Sequence, residues 1–152
     1  MKAKATSFII AVCLLLTGAC CIAGASEEAG PLPYSDSPLL EYFKEAYPDN
    51  EIVLLLKGDC NADGIDDLVI VYKADENHNH QVTVFSHEGG YKLSPPIPAP
   101  FQDVALEWKD IDNLPPVELV VSGRRGIHHG LGVFRFVDGE WVDLFGGMDE
   151  CC

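Results

Sequence analysis

Positive charge is scarce in this chain: 10 Lys and Arg stand against 24 Asp and Glu, a formal net charge of −14 over 152 residues. That balance excludes nucleic-acid binding, which needs clustered Lys and Arg against phosphate. It also excludes polybasic attachment to anionic lipid. No nucleophile motif, phosphate loop or paired catalytic acid in a strand-end context occurs, so enzyme activity is not expected. The charged fraction, 22%, is too low for a disordered polyanion, and the hydrophobic fraction, 47%, is that of a globular chain. The length suits one domain, or one domain behind a processed leader. The acidity suits cation binding or plain solubility.

The only long apolar run is at the start, and it reads as an address. Lys2 and Lys4 precede Phe8 to Leu16, and small residues follow too closely for a comfortable membrane span. Two processing routes fit. Ala23-Gly24-Ala25 before Ser26 is a small-x-small cleavage site, giving a leader over 1–25. Leu16-Thr17-Gly18-Ala19-Cys20 resembles a bacterial lipobox, with Thr17 where such boxes carry Leu, and would make Cys20 the lipidated residue. Both routes place the domain outside the cytoplasm, secreted or lipid-anchored, with membrane contact through that anchor alone. Losing Lys2 and Lys4 leaves 8 bases against 24 acids, a net charge of −16. Of six Cys, only Cys60, Cys151 and Cys152 then belong to the mature chain, an odd number at the wrong spacing for a disulfide-stapled miniprotein.

Residues 26–36 are polar with Pro31 and Pro33 and read as a tether. Ser37-Pro38 offers an N-cap and a first-turn proline. Leu39, Leu40, Phe43, Ala46 and Tyr47 recur at helical spacing, and Pro48 ends the element. The rest repeats at an offset of 51: Val53 with Val104, Asp59 with Asp110, Asn61 with Asp112, Asp67 with Glu118, Val82 with Val133 and Phe85 with Phe136. Beyond that the offset drifts, and Gly90-Tyr91 resembles Glu140-Trp141. Each unit reads as four short strands, near 52–57, 67–73, 80–86 and 90–94, then 103–109, 117–122, 131–137 and 140–145. Four antiparallel strands in this length is the size of one propeller blade, and two blades cannot close a ring. The expected fold is mainly β: two blade-like four-stranded sheets packed together over 37–145 (units 52–94 and 103–145), the helix covering an edge.

The sharpest motif inside that fold is Gly58-Asp59-Cys60-Asn61-Ala62-Asp63-Gly64-Ile65-Asp66-Asp67. Asp59, Asn61, Asp63 and Asp67 stand at positions 1, 3, 5 and 9. The Ile65 carbonyl takes position 7, and Gly64 permits the tight turn. Hard oxygen donors suit Ca²⁺ in a structural role, while Asx hydrogen bonds alone can also hold such a turn. An EF-hand is excluded, because Ile70 stands where its bidentate Glu belongs. The loop resembles the calcium loop of FG-GAP or VCBS-type repeats, well over 52–86 and weakly over 103–137. Unit two keeps Asp110, Asp112 and Glu118, but Leu114 and Pro115 replace the fifth-position acid and the glycine, so little or no metal is expected there. Cys60 reads as a buried inert thiol. His78, His80, His87, His128 and His129 lack ligand spacing and read as solvated loop residues.

Phe145-Gly146-Gly147-Met148-Asp149-Glu150-Cys151-Cys152 reads as a flexible tail over 146–152 bearing a vicinal dithiol. Adjacent Cα atoms lie ~3.8 Å apart, below the ~4.4–6.8 Å a relaxed disulfide spans. The pair therefore suits gripping one soft ion, exchanging thiols, or pairing covalently with another chain. Leader, size and the Cys151-Cys152 pair together resemble the Cys-Cys-COOH (seleno)protein family of the proposed selenocysteine-assisted organometal transport system. That resemblance implies handling of mercury-like or organomercury cations beside a membrane transporter, and this chain carries Cys rather than selenocysteine at both positions.

Three functions follow as expectations. The first is extracytoplasmic binding of a soft metal or organometal by Cys151 and Cys152, with handover to a membrane transporter or thiol protein. The second is a calcium-stabilised protein-interaction module. The third is a thiol–disulfide redox partner, disfavoured because Asp149 and Glu150 put negative charge beside both thiols.

Overall fold

In a computed structural model of the chain, residues 33–146 are described. The leader with Cys20, the start of the tether, and the tail with Cys151 and Cys152 lie outside them. The elements run α1 (Pro38–Ala46), β1 (Ile52–Gly58), β2 (Asp67–Lys73), β3 (Asn79–His87), β4 (Gly90–Leu93), β5 (Ile97–Ala99), β6 (Gln102–Lys109), β7 (Glu118–Arg125), β8 (His128–Val137) and β9 (Glu140–Asp143). The mainly β expectation holds. Strands β1 to β4 form one antiparallel meander and β6 to β9 a second, each ordered as in the chain.

The sequence reading has no counterpart to β5. Pro98 counts against a strand, yet the three residues of β5 pair with Asn79–Gln81 on the stretch of β3 beyond β4. A short edge strand tolerates proline because its outer side needs no ladder bond.

Helix α1 lies on a sheet face, not on an edge. Leu39, Leu40 and Phe43 are buried against Leu55, Leu68, Ile70, Tyr72, Val82 and Val84 of sheet one. Phe43, Tyr47 and Tyr72 form a ring cluster with centroids 4.9–5.5 Å apart. A face offers rows of apolar side chains to cover, whereas an edge offers only backbone; each fully buried Leu or Phe contributes roughly 1.5–3 kcal/mol. Pro38 takes the first turn as expected, but the Ser37 hydroxyl makes no capping hydrogen bond.

The opposite face of sheet one packs on sheet two. Val69 joins Leu119, Val121 and Phe134 in a second core with Leu56, Leu106, Trp108 and Trp141 around it. The layer order is helix, sheet one, sheet two. Strand β2 is covered on both faces, so residues 67–72 are all buried. Two indoles fasten the sheets: Trp108 Nε1 donates to the Lys57 carbonyl at 3.0 Å, and Trp141 Nε1 to Thr83 Oγ1 at 3.0 Å. A Cβ on Gly58 would run into the Trp108 ring, so that close approach requires glycine.

The repeat is real, but its offset changes earlier than expected. Leu55 pairs with Ile70 and Leu106 with Val121, an offset of 51. In the next hairpin Ile70 faces Val82 whereas Val121 faces Gly132, an offset of 50. One residue is missing from the second β2–β3-type turn, so Thr83 rather than Val82 corresponds to Val133, and Ser86 rather than Phe85 to Phe136.

Candidate functional site: two acidic loops

Both loops bridge the first two strands of their units and are built alike. Ala62 (φ 60°) and Asn113 (φ 62°), 51 apart, both take left-handed backbone, as does Gly64 (φ 85°). In unit one, Asp59 accepts from the Asp63 and Gly64 amides at 3.2 and 2.8 Å. Asn61 Oδ1 accepts from the Asp63 amide at 2.9 Å, and Asp63 Oδ1 from the Ile65 amide at 2.8 Å. Asn61 Nδ2 donates to Asp63 Oδ2 at 3.0 Å. Three of the expected calcium ligands thus share one Asx-bonded loop whose donors are hard oxygens, the chemistry Ca²⁺ takes.

Asp67 does something else. It is fully buried, and its carboxylate accepts from the Cys60 amide (3.2 Å), the Cys60 thiol (2.9 Å) and the Ser86 amide (2.9 Å). It ties the loop to strand β3. Burial pushes this carboxyl above the ordinary aspartate range, while the Cys60 and Ser86 hydrogen bonds pull it back. Burial, then the neighbouring Asp67, pushes the Cys60 thiol far above the usual cysteine range. Cys60 is the one cysteine among the described residues and is fully buried, as expected.

In unit two, ligand oxygens of Asp110, Asp112 and Glu118 come within 4.8 Å of one another. Glu118 is fully buried and accepts from the Ile111 amide at 2.9 Å, repeating the Asp67–Cys60 bond 51 residues on. Its other oxygen meets the Arg135 guanidinium, which also reaches Asp112 at 2.7 Å. Arg135 therefore brings a covalently attached cation to the acids of unit two. Its hydrogen bond holds the Asp112 carboxyl below the usual range. Sequence reasoning missed Arg135, because with the offset of 50 its counterpart is the apolar Phe85. The signal was a lone base in an apolar strand beside a loop that keeps its acids but lacks Gly64's equivalent.

The histidines are not gathered as a ligand set. His78 Nδ1 meets Asp75 at 2.8 Å and its Nε2 lies 3.3 Å from Arg125. His87 accepts from the Gly89 amide at 3.0 Å, and His128 and His129 are exposed at the start of β8. Among the described residues no helix is long and apolar enough to cross a membrane. No protein-family model, curated protein or solved structure matches the chain.

Proposed function

We propose that this chain is an extracytoplasmic binding and handover protein for a soft metal or organometal cation, with Cys151 and Cys152 as its grip and the two-sheet domain as its scaffold. The observation that carries the reading is the state of Cys60. Buried, bonded to Asp67 and raised far above the usual thiol range, it offers no thiolate to a soft ion. Soft-ligand chemistry in the mature chain then falls to the vicinal pair, where the metal displaces the thiol protons. Once one thiolate has bound, the second joins intramolecularly and raises affinity by roughly 10²–10⁴. Exchange onto the thiols of a transporter or acceptor protein passes the ion on without releasing it.

The test is titration of the reduced chain with Hg(II) and with monomethylmercury, read by competition with a small dithiol. One equivalent of Hg(II) is expected. Cys151→Ser and Cys152→Ser each weaken Hg(II) sharply and monomethylmercury less, because the latter needs one strong thiolate. Retention of wild-type affinity by the double serine variant, or loss of it in Cys60→Ser alone, overturns the reading.

The loop around Asp59, Asn61 and Asp63 favours a second reading, a calcium-stabilised interaction module. There, Ca²⁺ raises the melting temperature and Asp63→Ala abolishes the rise, whereas a melting curve indifferent to Ca²⁺ and chelator removes this reading.

A further inference from the structure

Sheet one is covered on both faces; sheet two is covered on one. Among the described residues nothing lies on its outer face. Register identifies what the equivalent face of sheet one meets, namely a second sheet. At matched positions of the third and fourth strands, Gln81, Thr83, Lys92 and Ser94 become Leu131, Val133, Val142 and Leu144 while Phe85 becomes Arg135; in the first two strands Leu56 becomes Glu107 and Val71 becomes Ser122, so the apolar gain is gathered on the β8–β9 half of the face. Val133 is buried among its neighbours, whereas Leu131, Val142 and Leu144 are 54%, 44% and 41% exposed.

We propose that the outer face of sheet two is a self-association surface, on which a second copy of this chain packs across a two-fold axis as sheet two packs on sheet one. Charge singles out this face for a like partner. Its strands carry five acids, Asp103, Glu107, Glu118, Glu140 and Asp143, against four bases, Lys109, Arg124, Arg125 and Arg135, close to neutral on a chain of net charge −14. Size agrees as well. Four strands at ~4.8 Å spacing and about eight residues long span on the order of 500 Å² in projection. That is of the same order as the ~800 Å² per partner of a standard interface. Sheets packed face to face at ~10 Å interdigitate such side chains.

Sedimentation equilibrium of the exported, reduced chain tests this, over ~1 μM to ~500 μM to reach the weak end of interfaces of this size. The wild type is expected to reach the dimer mass. Association should tighten with added salt, as repulsion between the acidic remainders of the two copies is screened. Leu131→Glu combined with Val142→Glu, at two exposed positions that leave the core intact, should weaken association at least ten-fold. Tyr34→Glu, at an exposed aromatic position ahead of α1, should leave it unchanged. A wild type that stays monomeric throughout, as when another segment of the chain or a different partner occupies the face, overturns the proposal. So does a dimer that survives the paired glutamates.

Discussion

Arg135→Met tests the internal cation of unit two. It removes the partner of Glu118, a carboxylate with no solvent exposure, and leaves it the hydrogen bond from the Ile111 amide. Arg135 itself is 18% exposed and Asp112 is 42% exposed. Removing one partner of a buried pair costs about 3–5 kcal/mol, and the rim position of Asp112 places this case at the lower end, near ~3 kcal/mol. With a urea slope of ~1–3 kcal/mol/M, the unfolding midpoint should fall by about 1–3 M at unchanged slope. Lys57→Met is the control, since the Lys57–Asp66 pair is exposed on both sides and such pairs contribute about 0.2–1 kcal/mol. Glu118→Gln placed on Arg135→Met should recover part of the loss by removing the stranded charge. Millimolar Ca²⁺ should also recover part of it, because the three acids of that loop are then left without their base. The reasoning is refuted if Arg135→Met costs no more than the Lys57 control, or if Glu118→Gln changes nothing in its background.

Asp67→Asn reports on the buried loop tie through pH. A carboxyl raised in the folded state binds its proton more tightly there than in the unfolded chain, so it lowers stability as pH rises from about 3.9 through the raised value. The stability difference, wild type minus Asp67→Asn, should therefore fall across that window in urea titrations at stepped pH; a flat or rising difference contradicts the assignment. Gly58→Ala puts a methyl group into the Trp108 indole and should cost about 1–3 kcal/mol. A second change, Trp108→Phe, should absorb part of that cost in a double-mutant cycle on melting temperature.

The fold was readable wherever one residue decides its own surroundings. β-branched runs gave six of the nine strands to within two residues at each end, and the matching acids of the two loops exposed the repeat. What escaped depends on pairing between distant segments. Val82 and Val133 match by residue type, so the deleted turn residue was hidden until the ladders Ile70–Val82 and Val121–Gly132 were compared. The helix pattern identifies an apolar stripe but not what it covers. Ile97–Ala99 is a strand only because β3 outruns β4 there. At the candidate site, Asp59, Asn61 and Asp63, which the spacing groups, share one Asx-bonded turn. The spacing could not distinguish the carboxylate that ties the loop to strand β3, Asp67, from those that line the turn. Nor could it find Arg135, which reaches its acids across the sheet.

Because each sheet is a meander of neighbouring strands, the molecule can assemble in the order of its synthesis. Hairpins of adjacent strands close short loops, so unit one needs nothing downstream to set its register. The preceding helix is already available to cover one of its faces. The other face, with Val69 and Thr83, stays bare until the chain has supplied residues 102–143 some fifty positions later. That interval is the period of greatest exposure to sticking and misassembly. Gln81 and Thr83 on the waiting face, against leucine and valine at the matching positions of the later sheet, reduce the apolar surface shown during the wait.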